Sequence, residues 1–330
     1  LPMFAKYQIT TFCAPPTMLR MLIRGDLSKY DLSSIHHMTT AGEALNPEVF
    51  KQFEAATGLE IMEGFGQTET TLTIANLYGT APKIGSMGKA SPQYDIDIVV
   101  NCAAYTDVER AETDVENARR INAFAAGVVA GEVARKNISL IHVSTDYVFD
   151  GQSNKPYDEN AVPGPLSVYG CTKLEGENLI RESGCRHLII RTAWLYSNGS
   201  RNFFNTIVNK TASLSEMKVV VDQVGTPTYA PDLAHALFHI IDRWTGGPSG
   251  VYNYTGLGVC SWYDFAVAIR DAVGHICNIK PCLSSEFPTK ARRPHYSVLD
   301  KSRVMRDFGL DIPHWTESLR LCVMDYESAL

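Results

Sequence analysis

Between residues 96 and 194 three short apolar runs alternate with two amphipathic stretches, and that alternation leaves little choice of fold. Ile96 to Val100 is apolar throughout apart from Asp97, as a strand buried on both faces requires. Asp114 to Lys136 places Ile121, Ala125, Val128, Val129 and Val133 on one broad stripe, which predicts a long helix. Ile138 to Val143 is a second strand. Ser167 can cap a helix running from about Val168 to Ser183, with Gly184 at its stop. His187 to Trp194 is a third strand. This order predicts a parallel sheet with crossover helices. Ligands of such sheets sit beyond the carboxyl ends of the strands, and Thr106, Thr145 and Trp194 all fall at such ends.

The segment from Ser144 to Lys173 carries the candidate chemistry. Thr145 closes a strand, and Tyr169 and Lys173 follow at the start of a helix. Positions four apart share a helix face, so the phenol and the ammonium project together. A nearby ammonium lowers a phenol's pKa. Such a tyrosine can protonate a carbonyl oxygen as hydride reaches the carbon, and Thr145 can hold the same oxygen in place. His142 and His187 read as ordinary strand residues with no metal-ligand spacing around them. Beyond residue 200, Phe203, Phe204, Ile207 and Val208 predict a helix and Val219 to Val221 a strand. Asp232 to Trp244 and Phe265 to Val273 are apolar at helical spacing. Ala291 to Ser297 is a basic loop before a last helical region, and Arg292 and Arg293 are candidate diphosphate ligands.

Residues 1–95 have a different character. Asn46-Pro47 starts a helix that Gly58 closes, and Leu59 to Glu63 alternates as a short strand. The strand runs into the expected loop Gly64-Phe65-Gly66-Gln67-Thr68-Glu69-Thr70-Thr71, whose hydroxyls and single carboxylate suit phosphate and Mg²⁺. Its Gly64-x-Gly66-x-x-Glu69 spacing lacks the third glycine of a dinucleotide fingerprint. Ser91 to Asp95 is turn-like and marks the junction.

Two resemblances follow from these motifs. Thr39 to Pro47, Gly64 to Thr70 and Lys83 to Ala90 resemble acyl-CoA synthetases of the adenylate-forming superfamily. The resemblance implies that Gly66 and Thr68 meet ATP phosphates and Glu69 Mg²⁺. It covers only about 95 residues, without the preceding phosphate loop, the ribose-binding Asp or the C-terminal Lys, so a remnant unable to form an adenylate is expected. Residues 96–330 resemble the dTDP-4-dehydrorhamnose reductases, extended short-chain dehydrogenase/reductases. The motifs are Asn101 to Glu112, Ser144 to Gly151, Tyr169-x-x-x-Lys173, Arg191 to Tyr196 and Arg292 to Asp300. That likeness implies reduction of the 4-keto group of dTDP-4-dehydro-L-rhamnose with NADPH or NADH. Tyr169 would be the proton donor, Lys173 its partner and ribose ligand, and Thr145 the tuning hydroxyl. Ala103, Ala104, Tyr105 and Thr106 would lie along the cofactor, and Asp146, Tyr147 and Trp194 would meet the sugar nucleotide.

The family begins with a strand, a Gly-rich turn and a helix that seats the pyrophosphate. Here residues 1–95 stand in that place. The expected fold is therefore α/β: a truncated Rossmann-like parallel sheet with a small C-terminal substrate-binding part, preceded by a partial adenylate-forming α/β fragment. The sheet is expected to expose a central edge. Four functions stay open: a sugar-nucleotide reductase with weakened cofactor binding, a non-catalytic reductase-like subunit, an acyl-CoA synthetase fragment, and an inactive fusion product.

Composition narrows the setting. A net charge of −6 argues against a nucleic-acid surface. Eight cysteines form no C-x-x-C pair, so free thiols in a reducing cytoplasm are expected. No run approaches 18 apolar residues, so no membrane span is expected. Leu1 opens the chain without an initiator Met or a signal pattern, so a start in mid-protein is expected. A homodimer is compatible with all of this.

Overall fold

The computed structural model describes residues 1–67, 71–77, 81–90, 95–199, 201–244 and 247–328. They form two compact units, Leu1–Ile96 and Asp97–Leu330.

The first unit is a five-stranded sheet of β1 (Thr11–Cys13), β2 (His37–Thr40), β3 (Ile61–Gln67), β4 (Thr71–Ala75) and β5 (Lys89–Ala90), in that order. The first three strands are parallel and the last two antiparallel. Helix α1 (Pro47–Thr57) starts as expected, with the Asn46 side chain accepting from Glu48 N–H at 2.8 Å, and Gly58 ends it in the left-handed conformation. Its Val49, Phe50 and Phe53 pack with Leu19, Met38 and Ile61. The glycine-bracketed segment differs from expectation. Gly64 to Gln67 continues β3 instead of forming a loop, and pairs with β4 across a register shift between Phe65 and Gly66. Glycine is the residue that tolerates such a bulge. Thr68 and Glu69 lie outside the described residues.

The second unit contains β6 (Ile98–Asn101), α2 (Val115–Arg119), a π turn (Arg120–Phe124), α3 (Ala125–Arg135), β7 (Ser139–Thr145), α4 (Val168–Glu182) and β8 (Arg186–Thr192). Then come α5 (Phe203–Ser213), β9 (Glu216–Val220), α6 (Ala230–Arg243), β10 (Gly250–Asn253), α7 (Trp262–Ala272), β11 (Asn278–Cys282), α8 (Ser302–Phe308) and α9 (Trp315–Ser328). The main sheet has the order β10-β8-β7-β6, all parallel. Ile141, Leu188 and Ile190 are wholly buried in it, each worth about 1.5–3 kcal/mol of apolar burial. Among the described residues β6 pairs only with β7, so the sheet ends there as anticipated. A second core gathers Phe204, Phe265, Ile269 and Trp315 around the parallel pair β9 and β11.

The helical run from 115 to 135 is present, but its buried face is not the predicted stripe. Ala118, Asn122, Ala123, Ala126, Ala130 and Val133 face inward, and Val128 is 67% exposed. Two causes combine. The π turn inserts a residue and shifts the phase of the helix. The facing helix also comes very close: a Cβ on Gly176 would lie 2.2 Å from the Asn122 carbonyl oxygen, so only small residues fit along the seam.

Candidate active site

Helix α4 places the central pair. Its first turn is fixed twice, by the Ser167 hydroxyl accepting from Gly170 N–H at 3.2 Å and by Glu112 accepting from Val168 N–H at 2.8 Å. Gly170 lets the helix start meet the loop after β7, because a Cβ there would lie 2.2 Å from the Tyr147 carbonyl oxygen. The strand end and the helix start are thus held against each other without intervening side chains.

Thr145, Asp146, Tyr147 and Tyr169 come together at this corner. The Tyr147 and Tyr169 rings meet edge to face at 5.6 Å. Burial pushes the Tyr169 phenol up to about 12, and a hydrogen bond with Thr145 works against that shift. The Thr145 side chain also accepts from Tyr147 N–H at 3.2 Å and donates to Asp146 at 3.1 Å. Asp146 is buried, which raises its carboxyl to about 6 against hydrogen bonds from Ser297 and Thr145.

Lys173 is one turn further along the helix, as the spacing requires, but its head group is turned into the sheet. It donates to the Val143 carbonyl at 2.7 Å and meets His142 Nε2 at 3.2 Å. It is 1% exposed, and burial pushes it down to about 8 against the pull of Glu177 and Cys102. The expected lowering of Tyr169 by this ammonium is therefore absent: the amine answers to β7, and burial dominates the phenol. His142 is likewise more than the ordinary strand residue its setting suggests.

Ala103, Ala104, Tyr105 and Thr106 follow the carboxyl end of β6. Ala103 and Thr106 are exposed. Asn122, on the π turn, accepts from Tyr105 N–H at 2.7 Å and donates to the Tyr105 carbonyl at 3.2 Å. It also reaches Thr172 on α4 at 3.1 Å. The Tyr105 hydroxyl donates to Asp114 at 2.9 Å.

Beside the corner lies a cavity of about 620 Å³, lined in part by Glu109, Tyr147, Phe203, Lys210, Lys218, Trp262 and Arg293. Arg293 pairs with Glu109 at 2.8 Å and hydrogen-bonds Tyr147. Arg292, its neighbour, is exposed and does not line the cavity. Trp194 does not line it either. Its backbone takes a positive φ of 48°, and its ring stacks on Trp262 at 3.6 Å and 9°. Trp262 is the indole that faces the space. Sequence reasoning missed Trp262, Phe203, Lys210 and Asn122; a lone aromatic opening a helix carries no local mark of a cavity wall. Among the described residues no group of three or more His, Cys, Asp or Glu could hold a metal ion. No described helix is long and apolar enough to cross a membrane.

Known proteins match both ends of the chain. Residues 72–328 match the family described as RmlD substrate binding domain, and residues 1–110 match the AMP-binding enzyme family. The change between compact units falls inside the overlap of the two matches. The spore coat polysaccharide biosynthesis protein SpsK of Bacillus subtilis (strain 168) is 36% identical over 88% of this chain and 98% of its own length. The dTDP-4-dehydrorhamnose reductase of Burkholderia thailandensis is 39% identical over 69% of this chain and 82% of its own. The crystal structure of dTDP-4-dehydrorhamnose reductase from Bacillus anthracis in complex with NADP superposes with a TM-score of 0.67 at 34% identity, covering 69% of this chain and 80% of that one.

Proposed function

Since the chain belongs to the RmlD substrate binding domain family, we propose that it is a sugar-nucleotide reductase acting on dTDP-4-dehydro-L-rhamnose. The product would be dTDP-L-rhamnose and the reductant NADPH or NADH. The observation that carries this reading is the corner itself: a half-buried tyrosine hydrogen-bonded to a strand-end threonine, one turn before a buried lysine, beside a cavity with an indole wall and cations. We further propose that residues 96–330 are the reductase part and residues 1–95 an adenylate-forming remnant.

The residues present fit one half of a dinucleotide. The small residues Ala103, which is exposed, and Ala104, which is half-buried, let a ligand approach the backbone at the carboxyl end of β6, next to the strand that holds Lys173. Ala103 to Thr106, with Lys173, would hold the nicotinamide ribose, and the bound nicotinamide would supply the hydride. Tyr169 protonates the oxygen at C4 of the sugar, and its raised pKa keeps the proton in place until then. Thr145 fixes that oxygen beside the phenol. Tyr147 and Asp146 would bound the hexulose, and Arg293, Lys210 and Lys218 would face the diphosphate. Trp262 and Phe203, 4.4 Å apart, would take the base.

The test is oxidation of NADPH by the purified chain with dTDP-4-dehydro-L-rhamnose, followed by absorbance. Turnover that falls about 10²-fold or more in Tyr169→Phe is expected. No cofactor binding at millimolar concentration would overturn the activity, and turnover surviving in Tyr169→Phe would overturn the assigned proton donor.

A further inference from the structure

His142 and Asn101 are neighbours across the β6–β7 ladder and touch Lys173 in a chain. Asn101 Nδ2 meets His142 Nδ1 at 3.1 Å, and His142 Nε2 meets Lys173 Nζ at 3.2 Å. The far end of the chain is anchored: Ala103 N–H donates to Asn101 Oδ1 at 3.1 Å. The roles of the atoms follow by elimination. Because Oδ1 is held by a backbone donor, the amide nitrogen must be the group facing the imidazole. An amide nitrogen only donates, so Nδ1 accepts and the ring proton sits on Nε2. That proton points at Nζ. An ammonium has no lone pair to receive it, whereas a neutral amine has one and can still donate to the Val143 carbonyl.

The opposite arrangement is also self-consistent. If the carboxamide turns over, Oδ1 accepts from Nδ1–H, Nε2 becomes the acceptor, and Lys173 is an ammonium donating to it. The turned amide then presents its NH₂ to Ala103 N–H, so the second state requires that this backbone group find another acceptor. We propose that Asn101 and His142 are positioning residues that set the proton state of Lys173: it is a neutral amine while Ala103 N–H holds the Asn101 carboxamide, and an ammonium once that N–H is drawn away. Ala103 opens the stretch assigned to the cofactor, so an acceptor arriving there charges the lysine. This rests on the reductase reading for its purpose, though not for its geometry.

The other titratable groups facing Lys173 are Cys102, from the end of β6, and Glu177, from its own helix; both favour the charged form and burial opposes it. Burial also pushes His142 down to about 3, so the imidazole itself stays neutral and acts through its tautomer.

The experiment is nitrogen NMR of ¹⁵N-histidine-labelled full chain, which distinguishes the two tautomers by the shifts of Nδ1 and Nε2. Wild type is expected to show His142 as the Nε2–H tautomer at pH 9, above the value of about 8 at which Lys173 loses its proton. Asn101→Asp supplies a second acceptor oxygen and is expected to move the proton to Nδ1. The limb of the pH–rate profile that reports Lys173 should then move up by about one unit or more in Asn101→Asp and in His142→Gln. An Nδ1–H tautomer in wild type at pH 9, or an unchanged tautomer in Asn101→Asp at that pH, would overturn the proposal. Because the tautomer is read without turnover, an Nε2–H signal in a chain that never oxidises NADPH would uphold this network and sink the reductase reading alone.

Discussion

Glu177 is wholly buried and ties the helix carrying Tyr169 and Lys173 to two strands. It accepts from Ser144 on β7 at 2.6 Å, from Arg191 on β8 at 3.0 and 2.7 Å, and from Arg181 at 2.8 Å. Arg191 is 2% exposed, so neither charge can turn to water. Removing one partner alone, by Glu177→Leu or Arg191→Met, should destabilise by about 3–5 kcal/mol, because a buried charge is left unpaired. Removing both exchanges the pair for apolar volume. What then remains is the loss of the Ser144 and Arg181 hydrogen bonds, about 1 kcal/mol each. The double variant should therefore lose only about 2 kcal/mol, which makes the coupling about 4 kcal/mol or more. All four tryptophans, Trp194, Trp244, Trp262 and Trp315, lie in the second compact unit, so urea unfolding followed by tryptophan fluorescence reports on that unit alone. Single variants losing less than about 1 kcal/mol, the range of exposed pairs, would refute the reasoning, and so would a double variant equal to the sum. The pH dependence supplies a second check. Burial alone would raise the Glu177 carboxyl, but the Arg191 pairing outweighs it and holds the group below its usual value of 4.5. Its contribution is thus present above that value and lost as pH falls through the lower folded one; Glu177→Leu should lack this acid-side loss.

Three further outcomes follow from the same geometry. Asp146 has its carboxyl raised from 3.8 to about 6, so stability falls as pH rises between those values, by about 3 kcal/mol in total. Asp146→Asn should flatten that slope in fluorescence-monitored melts, and an unchanged slope would count against the burial assigned to it. Gly176→Ala drives a Cβ to 2.2 Å from the Asn122 carbonyl oxygen and should destabilise by about 2–3 kcal/mol, read as a lower Tm; a neutral result would mean that the seam can open. Trp262→Ala should weaken thymidine diphosphate binding measured by calorimetry, by the roughly 1–3 kcal/mol of a base–aromatic stack, and full affinity would place the base elsewhere.

The strands were legible because Ile138 to Val143 and His187 to Trp194 are short, largely apolar runs set between helical stretches, and the caps at Asn46 and Ser167 announce their helices chemically. The face of the 115–135 run was not legible. Periodicity weighs Val128 and Val129 above Ala126 and Ala130, yet close approach selects for small volume, and the π turn breaks the phase that periodicity assumes. The Tyr169, Lys173 and Thr145 placement was readable from spacing plus strand end. The partner of Lys173 was not: His142 and Ser144, two apart on β7, face the same helix, but nothing local says that Lys173 chooses His142 and Glu177 chooses Ser144. Nor could Trp262 be connected to Trp194, 68 residues earlier, before the chain had folded.

Those two indoles have a use beyond architecture. Planes 9° apart with centroids at 3.6 Å are close enough for their excited states to mix, so the pair absorbs circularly polarised light as one chromophore instead of two. Any molecule that slides along the Trp262 face, or tilts it away from Trp194, changes that shared signal in the near ultraviolet. The occupancy of the cavity is therefore written into the chain's own optics, and can be followed with no label, no coupled enzyme and no turnover.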